Sequence, residues 1–215
     1  DITLVPNETV IFLDEIQELK DFDIITLSKF LVEDGKYRFI FSGSLLGIEL
    51  YDIASWPSGY LAHTTMFPLD FEEFLWACNV PTVTIDYVRE CFVKNEVVES
   101  FIHEKFMDLF SKYVLVGGMP DAVNAYVNTN DFAKVEMAHE TIEEYNKKDI
   151  AKYANANERL KIKEIYELLP SELNSKTKRF QLSHVTSKLR NTDISLSFSW
   201  LRAAGVAIPV YTVVV

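Results

Sequence analysis

The sequence is poor in residues that cross-link a fold or bind zinc, and this shortage excludes two classes of protein. Only Cys78 and Cys91 occur among 215 residues. A disulfide-stabilised scaffold is therefore excluded, and a reducing compartment fits the composition. The four histidines lie far apart and near no cysteine pair, which argues against a zinc site. They are His63, His103, His139 and His184.

Long apolar runs are also missing. The uncharged stretch 203–215 at the end of the sequence contains Pro209 and is too short to span a bilayer. The sequence has no recognisable signal peptide, internal repeat or low-complexity segment. These absences predict a cytoplasmic protein without a membrane partner.

The net charge of −11 is spread unevenly along the chain. Residues 1–145 carry 9 Lys and Arg against 26 Asp and Glu, a net charge of −17. Residues 146–215 carry 12 against 6, a net charge of +6. This asymmetry indicates two modules with different surfaces. The two parts either attract each other in the folded protein or the basic part binds an external anionic partner.

The most informative pattern is the apolar run Val10–Leu13, which leads directly into Asp14 and Glu15. The run has the length and β-branched character of a fully buried parallel strand. Such a strand ends at the carboxyl edge of a sheet, where α/β proteins bind ligands. Two acids at that edge are typical of a Walker B motif in a Mg²⁺-nucleotide site. Alternatively, the acids only solvate the strand end or cap the next helix.

The phosphate-binding loop that normally accompanies a Walker B strand is not found in the sequence. A P-loop follows the pattern G-x-x-x-x-G-K-[ST], and the only Gly-Lys pair is Gly35-Lys36. Tyr37 stands where Ser or Thr is needed, and Phe30 stands where the first Gly should be. The chain therefore carries half of an ATP site.

A second strand is predicted at 37–41, after a helical pattern that starts at Ile16 and closes at Asp34-Gly35. Strand, helix and strand at this spacing predict a βαβ unit with a parallel sheet. Ser42 or Ser44, at the end of the second strand, would then lie beside Asp14 and Glu15. A serine there could sense a γ-phosphate, although Ser42-Gly43-Ser44 by itself is more typical of a plain turn.

The rest of the chain is predicted to be mostly helical. A short strand is predicted at 63–67, and a helix starts at Pro68 with Phe71, Phe74 and Leu75 on a core-facing side. The further helices are predicted at 85–92, at 99–112, up to about 153, at 160–169 with a stop at Pro170, at 181–190, and at 193–204 with Gly205 at its end. Residues 206–215 are β-like, so three short helices and a strand outline a winged helix.

Six segments, in this order, resemble the prokaryotic AAA-type P-loop ATPases that carry a C-terminal domain of unknown function. The segments span nearly the whole chain, and their order and spacing together are specific to this family. They are Leu13–Gln17, Phe41–Ser44, Phe67–Leu75, Val116–Pro120, Asp149–Tyr153 and Trp200–Val206.

The resemblance implies an α/β fold, namely the remnant of a parallel P-loop NTPase sheet followed by a helical lid and a winged-helix module. The implied domains are a partial ATPase core at 1–112, a lid at 113–156 and a winged helix at 157–215. The P-loop would precede Asp1 and more of the C-terminal domain would follow Val215. The chain would then be a central fragment that binds neither ATP nor Mg²⁺ by itself.

The resemblance also implies a role for each candidate site residue. Asp14 would hold Mg²⁺ through water, and Glu15 would activate the attacking water. Ser42 or Ser44 would act as the sensor. Pro120, in a Gly-Gly-Met-Pro segment similar to a lid motif, would pack on the nucleotide. Without the resemblance, this segment is typical of a turn between helices.

Five basic residues flank the second helix of the predicted winged helix: Lys176, Lys178, Arg179, Lys188 and Arg190. A helix-turn-helix that binds DNA carries basic side chains there for phosphates. The alternative is a lid that responds to nucleotide, and aromatics for single-strand stacking are not interleaved. The partners predicted for the parent protein are therefore a nucleotide, then a protein partner or a second copy, with DNA as the less favoured alternative. The rival interpretation is a DNA-binding or protein-interaction winged-helix module whose nucleotide chemistry is vestigial.

Overall fold

The structure is a computed structural model, and it describes residues 3–18, 24–43, 59–60, 62, 64–154, 158–177, 179–185 and 191–210. The chain divides into two compact units. The first unit contains residues 1–65 and 150–215, and the second contains residues 66–149. Each unit is described separately below.

The first unit contains the predicted βαβ segment. Strand β1 spans Val10–Leu13, helix α1 spans Ile24–Asp34, and strand β2 spans Arg38–Phe41. The strands pair in parallel, with Val10 opposite Arg38 and Leu13 opposite Phe41. The prediction of a parallel sheet is confirmed, although the segment after β1 forms a 3₁₀ turn at Ile16–Glu18 rather than the start of α1. Residues 19–23 lie outside the described part of the chain.

The prediction that β1 is buried on both faces is wrong. Val10 and Phe12 are 50% and 58% exposed, and Ile40 on β2 is 52% exposed. Alternate side chains of a strand point to opposite faces of its sheet. One face of the two-stranded sheet therefore stays open within the described residues, while the other face is partly buried.

The C-terminal helices of the first unit surround its main apolar core. Helix α7 spans Arg159–Asn174 and helix α8 spans Asn191–Ala203, both numbered after the helices of the second unit. We call their shared apolar cluster the C-terminal core. Its buried members are Ile150, Ala154, Ile162, Ile165, Val185, Ile194 and Leu201. Phe180 and Phe198 pack edge to face beside it, with ring centroids 5.0 Å apart.

Helix α7 does not stop at Pro170, contrary to the prediction. It continues to Asn174 with Pro170 exposed inside it. A proline removes one hydrogen-bond donor from the helix, which is tolerated here because only one further turn follows. The extra turn carries Glu172, whose side chain is buried and accepts hydrogen bonds from His184 Nδ1 at 2.5 Å and from the Gln181 amide at 2.8 Å. These bonds satisfy the buried carboxylate of Glu172 and hold the loop after α7 against it.

Two other predicted elements of this region differ from the structure. The segment predicted as a helix at 181–190 forms a 3₁₀ turn at Leu182–His184, and residues 186–190 lie outside the described part. Of the segment predicted as β-like at 206–215, residues 206–210 are irregular and residues 211–215 lie outside the described part. The end of α8 is as predicted, because Gly205 has φ +71° and the amide of Val206 reaches back to the Leu201 carbonyl at 3.0 Å. The winged helix stays a prediction.

The second unit is helical throughout its regular parts. Its helices are α2 at Phe71–Ala77, α3 at Thr82–Lys94, α4 at Ser100–Val116, α5 at Pro120–Thr129 and α6 at Phe132–Tyr153, the last of which runs on into the first unit. Asp70 caps α2 by accepting a hydrogen bond from the Glu73 amide, and the Glu73 carboxylate accepts one from the Asp70 amide. This capping box explains why α2 starts at Phe71 and not at Pro68.

The core of the second unit forms where α2, α4, α5 and α6 meet. Phe74 and Val116 are fully buried there with Ala122, Val123, Tyr126 and Val135. The predicted core-facing role of Phe71, Phe74 and Leu75 is confirmed, since Phe74 and Leu75 are buried and Phe71 packs against both clusters of this unit. The short strand predicted at 63–67 is wrong, because residues 64–67 have no regular structure.

The predicted domain boundaries are not those of the two compact units. The boundary at 112/113 falls inside α4, and the predicted lid at 113–156 extends beyond residue 149, where the second unit ends. The boundaries of the core, lid and winged helix therefore stay predictions about function.

Candidate functional site

Asp14 and Ser42 lie side by side at the carboxyl ends of β1 and β2. The Ser42 hydroxyl donates a short hydrogen bond to Oδ1 of Asp14. The backbones are joined as well, because the Ser42 amide donates to the Leu13 carbonyl at 3.0 Å and the Ile16 amide donates to the Ser42 carbonyl at 3.1 Å. The predicted neighbourhood of Ser42 and Asp14 is therefore confirmed. Ser44 lies outside the described residues.

Glu15 occupies an unusual backbone conformation directly after β1. Its φ is +51°, in the left-handed region that residues with a side chain rarely adopt. The Glu15 amide donates to Oδ1 of Asp14 at 3.1 Å. The bend at Glu15 brings the Ile16 amide to the Ser42 carbonyl. Such strained residues concentrate at functional sites, so the conformation motivates a functional hypothesis.

The two carboxylates of Asp14 and Glu15 are exposed. Both donors that reach Asp14, the Ser42 hydroxyl and the Glu15 amide, bond to its Oδ1 oxygen. This arrangement holds the Asp14 carboxylate at the edge of the sheet through its Oδ1 oxygen. Carboxylate oxygens are preferred ligands of Mg²⁺, commonly with several waters kept on the ion. The residues therefore fit a magnesium ion that is bound through water.

A residue pair that the sequence did not predict lies next to this edge. Lys152, near the end of α6, makes a short ion pair with Glu18 in the 3₁₀ turn that follows Glu15. Both side chains are about half exposed, 49% for Lys152 and 46% for Glu18. Lys152 falls in the segment Asp149–Tyr153 on which the resemblance partly rested. No spacing rule connects positions 18 and 152, so the sequence offered no signal for their contact.

The Gly-Gly-Met-Pro segment lies in the second unit and forms the turn between α4 and α5. Pro120 is exposed and begins α5. The Leu69 amide donates to the Gly118 carbonyl at 2.7 Å. The Tyr113 hydroxyl donates to the Leu69 carbonyl at 2.8 Å. Burial raises the pKa of Tyr113, so its hydroxyl remains a proton donor here. The turn is thus fastened to the segment before α2, and nucleotide contact by Pro120 stays a prediction.

The basic residues assigned to a nucleic-acid surface are only partly described. Lys176 and Arg179 are exposed beside the end of α7. Lys178, Lys188 and Arg190 lie outside the described residues. The suggestion of DNA binding therefore stays a prediction.

Among the described residues, no three His, Cys, Asp or Glu side chains cluster as ligands for a metal ion. None of the described helices combines the length and apolar character that a bilayer crossing needs. A magnesium ion at Asp14 would therefore need most of its ligands from water and a bound phosphate.

Comparisons with known proteins give two matches to families. Residues 107–213 match a domain of unknown function (DUF8612). No curated protein and no solved structure was found to match the chain. Residues 2–75, which include β1, α1, β2 and the edge that holds Asp14, match the AAA domain. This match supports a relation of the N-terminal part to the AAA-type P-loop proteins.

Proposed function

We propose that this chain carries the metal-binding and water-activating part of an AAA-type ATPase that hydrolyses ATP to switch conformation. One observation carries the proposal. The Ser42 hydroxyl is bonded to the Asp14 carboxylate at the shared edge of two parallel strands, inside the segment that matches the AAA domain. Neighbouring strand ends of this kind are where α/β proteins bind nucleotides.

Each residue of the edge has a role in the proposal. Asp14 would hold Mg²⁺ through water, while the Ser42 hydroxyl and the Glu15 amide orient the Asp14 carboxylate through Oδ1. Glu15 accepts a proton from the attacking water or orients it. When nucleotide is bound, the Ser42 hydroxyl would turn its single proton from Asp14 to the γ-phosphate and so report on it. These roles suit phosphoryl transfer, which depends mainly on positioning and charge neutralisation.

The lid and the winged helix belong to the same proposal. The helices around the C-terminal core would form the winged-helix module, and Pro120 would contact the nucleotide from the lid. The 215-residue sequence has no P-loop, whose backbone and lysine hold the phosphates. The isolated chain is therefore expected to lack micromolar affinity for Mg-ATP, which isothermal titration would measure.

The decisive experiment is Glu15→Gln in the full-length gene product. This change keeps the size of the side chain and removes the base, so the turnover of ATP should fall by about 10²–10⁴-fold. ATP binding should survive, which titration of the same variant would show. Glu8→Gln is the matched control, because Glu8 is an exposed glutamate in a turn of the same unit. Unchanged turnover in Glu15→Gln would overturn the proposal.

A further inference from the structure

We propose that Lys152 and Glu18 couple the C-terminal core to the turn that carries Glu15, and so regulate the proposed hydrolytic site. The carrying observation is the ion pair between the two side chains, which are 134 residues apart in sequence. Both residues belong to the first unit. The regulatory part of this inference rests on the proposed function.

Glu18 is connected to Glu15 by a single tight turn. The Glu18 amide donates to the Glu15 carbonyl at 2.9 Å. Ile16, between them, is buried, and its amide is held by the Ser42 carbonyl. A displacement of Glu18 therefore shifts the position of the Glu15 carbonyl and, with it, the backbone conformation of Glu15. Glu15 is sensitive to such a change because its left-handed conformation persists only when its surroundings impose it.

Lys152 is connected to the C-terminal core on both sides. Ile150 and Ala154, two residues before and after it, are 1% and 4% exposed members of that core. Arg159, at the start of α7, donates from its guanidinium to the Ala154 carbonyl at 3.3 Å. A movement of the helices around this core must therefore carry the backbone of Lys152 with it.

The exposure of the pair suits a regulatory contact better than a stabilising one. Ion pairs between half-exposed side chains contribute little to stability and are readily broken. A contact of this kind can form in one conformation of the core and open in another at little cost. The coupling thus makes the position of Glu15 depend on the conformation of the C-terminal helices.

The test compares Lys152→Glu, Glu18→Lys and the double charge swap in the full-length gene product. In each single variant, hydrogen exchange at the Ile16 and Glu18 amides should rise, by up to about five-fold for an exposed pair. The turnover of ATP should fall by a similar factor with an unchanged KM, because the change misplaces Glu15 without touching nucleotide binding. The double swap should restore both quantities.

The control is the swap of Glu144 and Lys148, an exposed pair on the same helix, which should change neither quantity. Unchanged exchange in the single variants, or no recovery in the double swap, overturns the coupling. If exchange responds as expected but the wild-type protein does not hydrolyse ATP, the proposed function fails while the coupling itself stands. If exchange responds and only turnover does not, the regulatory role is overturned.

Discussion

The amide of Leu69 and the carbonyl of Gly118 are hydrogen bonded at 2.7 Å, and this contact depends on the missing side chain of Gly118. A Cβ atom at position 118 would lie 2.1 Å from the Leu69 carbonyl oxygen. Gly118→Ala should therefore lower the free energy of unfolding by roughly 1–3 kcal/mol, as overpacking does. Chemical denaturation would measure this loss. Asn124→Ala on the exposed side of α5 is the control and should have little effect, and an equal effect of the two changes would contradict the steric reason.

Pro120 allows the lid hypothesis to be separated from a purely structural role. It is exposed at the first position of α5, so Pro120→Ala should cost about 1 kcal/mol or less. If Pro120 contacts nucleotide, ATP affinity should fall in the full-length gene product while the melting temperature stays nearly constant. Titration and thermal unfolding of the same variant give both values. Intact affinity with a lowered melting temperature would leave Pro120 as a residue that only starts a helix.

Ser42→Ala removes the hydroxyl that orients Asp14. Hydrogen bonds to charged groups are worth about 1.5–3 kcal/mol, which corresponds to a loss of turnover of roughly ten- to a hundred-fold. Steady-state kinetics on the full-length gene product would measure it. Ser42→Thr keeps the hydroxyl and should retain most of the turnover. Equal losses of turnover in both variants would mean that the size of the side chain at position 42 is critical and that its hydrogen bond to Asp14 is not.

The buried carboxylate of Glu172, which pairs with the half-exposed side chain of His184, should make stability depend on pH. The hydrogen bond from His184, followed by that from the Gln181 amide, lowers the pKa of Glu172. A carboxylate with a lowered pKa in the folded state stabilises the fold at neutral pH, and this contribution is lost as the pH falls below about 5. The melting temperature of Glu172→Gln should therefore be lower than that of the wild type at pH 7. Thermal unfolding from pH 7 to pH 3 should show the difference in melting temperature between the variant and the wild type shrinking as the pH falls.

Glu167→Gln provides the comparison for that experiment, because Glu167 is an exposed glutamate on the same helix. Its melting temperature should follow that of the wild type at each pH. A gap between Glu172→Gln and the wild type that stays constant from pH 7 to pH 3 would contradict the assignment.

The sequence predicted those parts of the fold that local patterns determine. An apolar run that ends in two acids predicted β1 and the position of Asp14, and the spacing of two such runs predicted their parallel pairing. The neighbourhood of Ser42 and Asp14 follows from that pairing alone. The end of a helix was predictable where a strong signal exists, as at Gly205, whereas the start predicted at Pro68 was displaced to Phe71.

Long-range contacts escaped prediction because no local pattern encodes them. The pairing of Glu18 with Lys152 and the burial of Glu172 depend on how distant segments pack. Pro170 misled the prediction because a proline weakens a helix without always ending it, and here the last turn is held by the burial of Glu172. The openness of one face of β1 depends on what surrounds the strand, and strand composition carries little information about that.

At position 15, the residue that best suits the left-handed backbone is not the residue that the proposed activity needs. A glutamate held at φ +51° costs about 1 kcal/mol or more relative to glycine, and asparagine also tolerates this conformation. A library screened only for thermal resistance should therefore enrich Gly or Asn at position 15 and discard the carboxylate. Under the proposed mechanism, the variants that survive heating best would be those that have lost turnover.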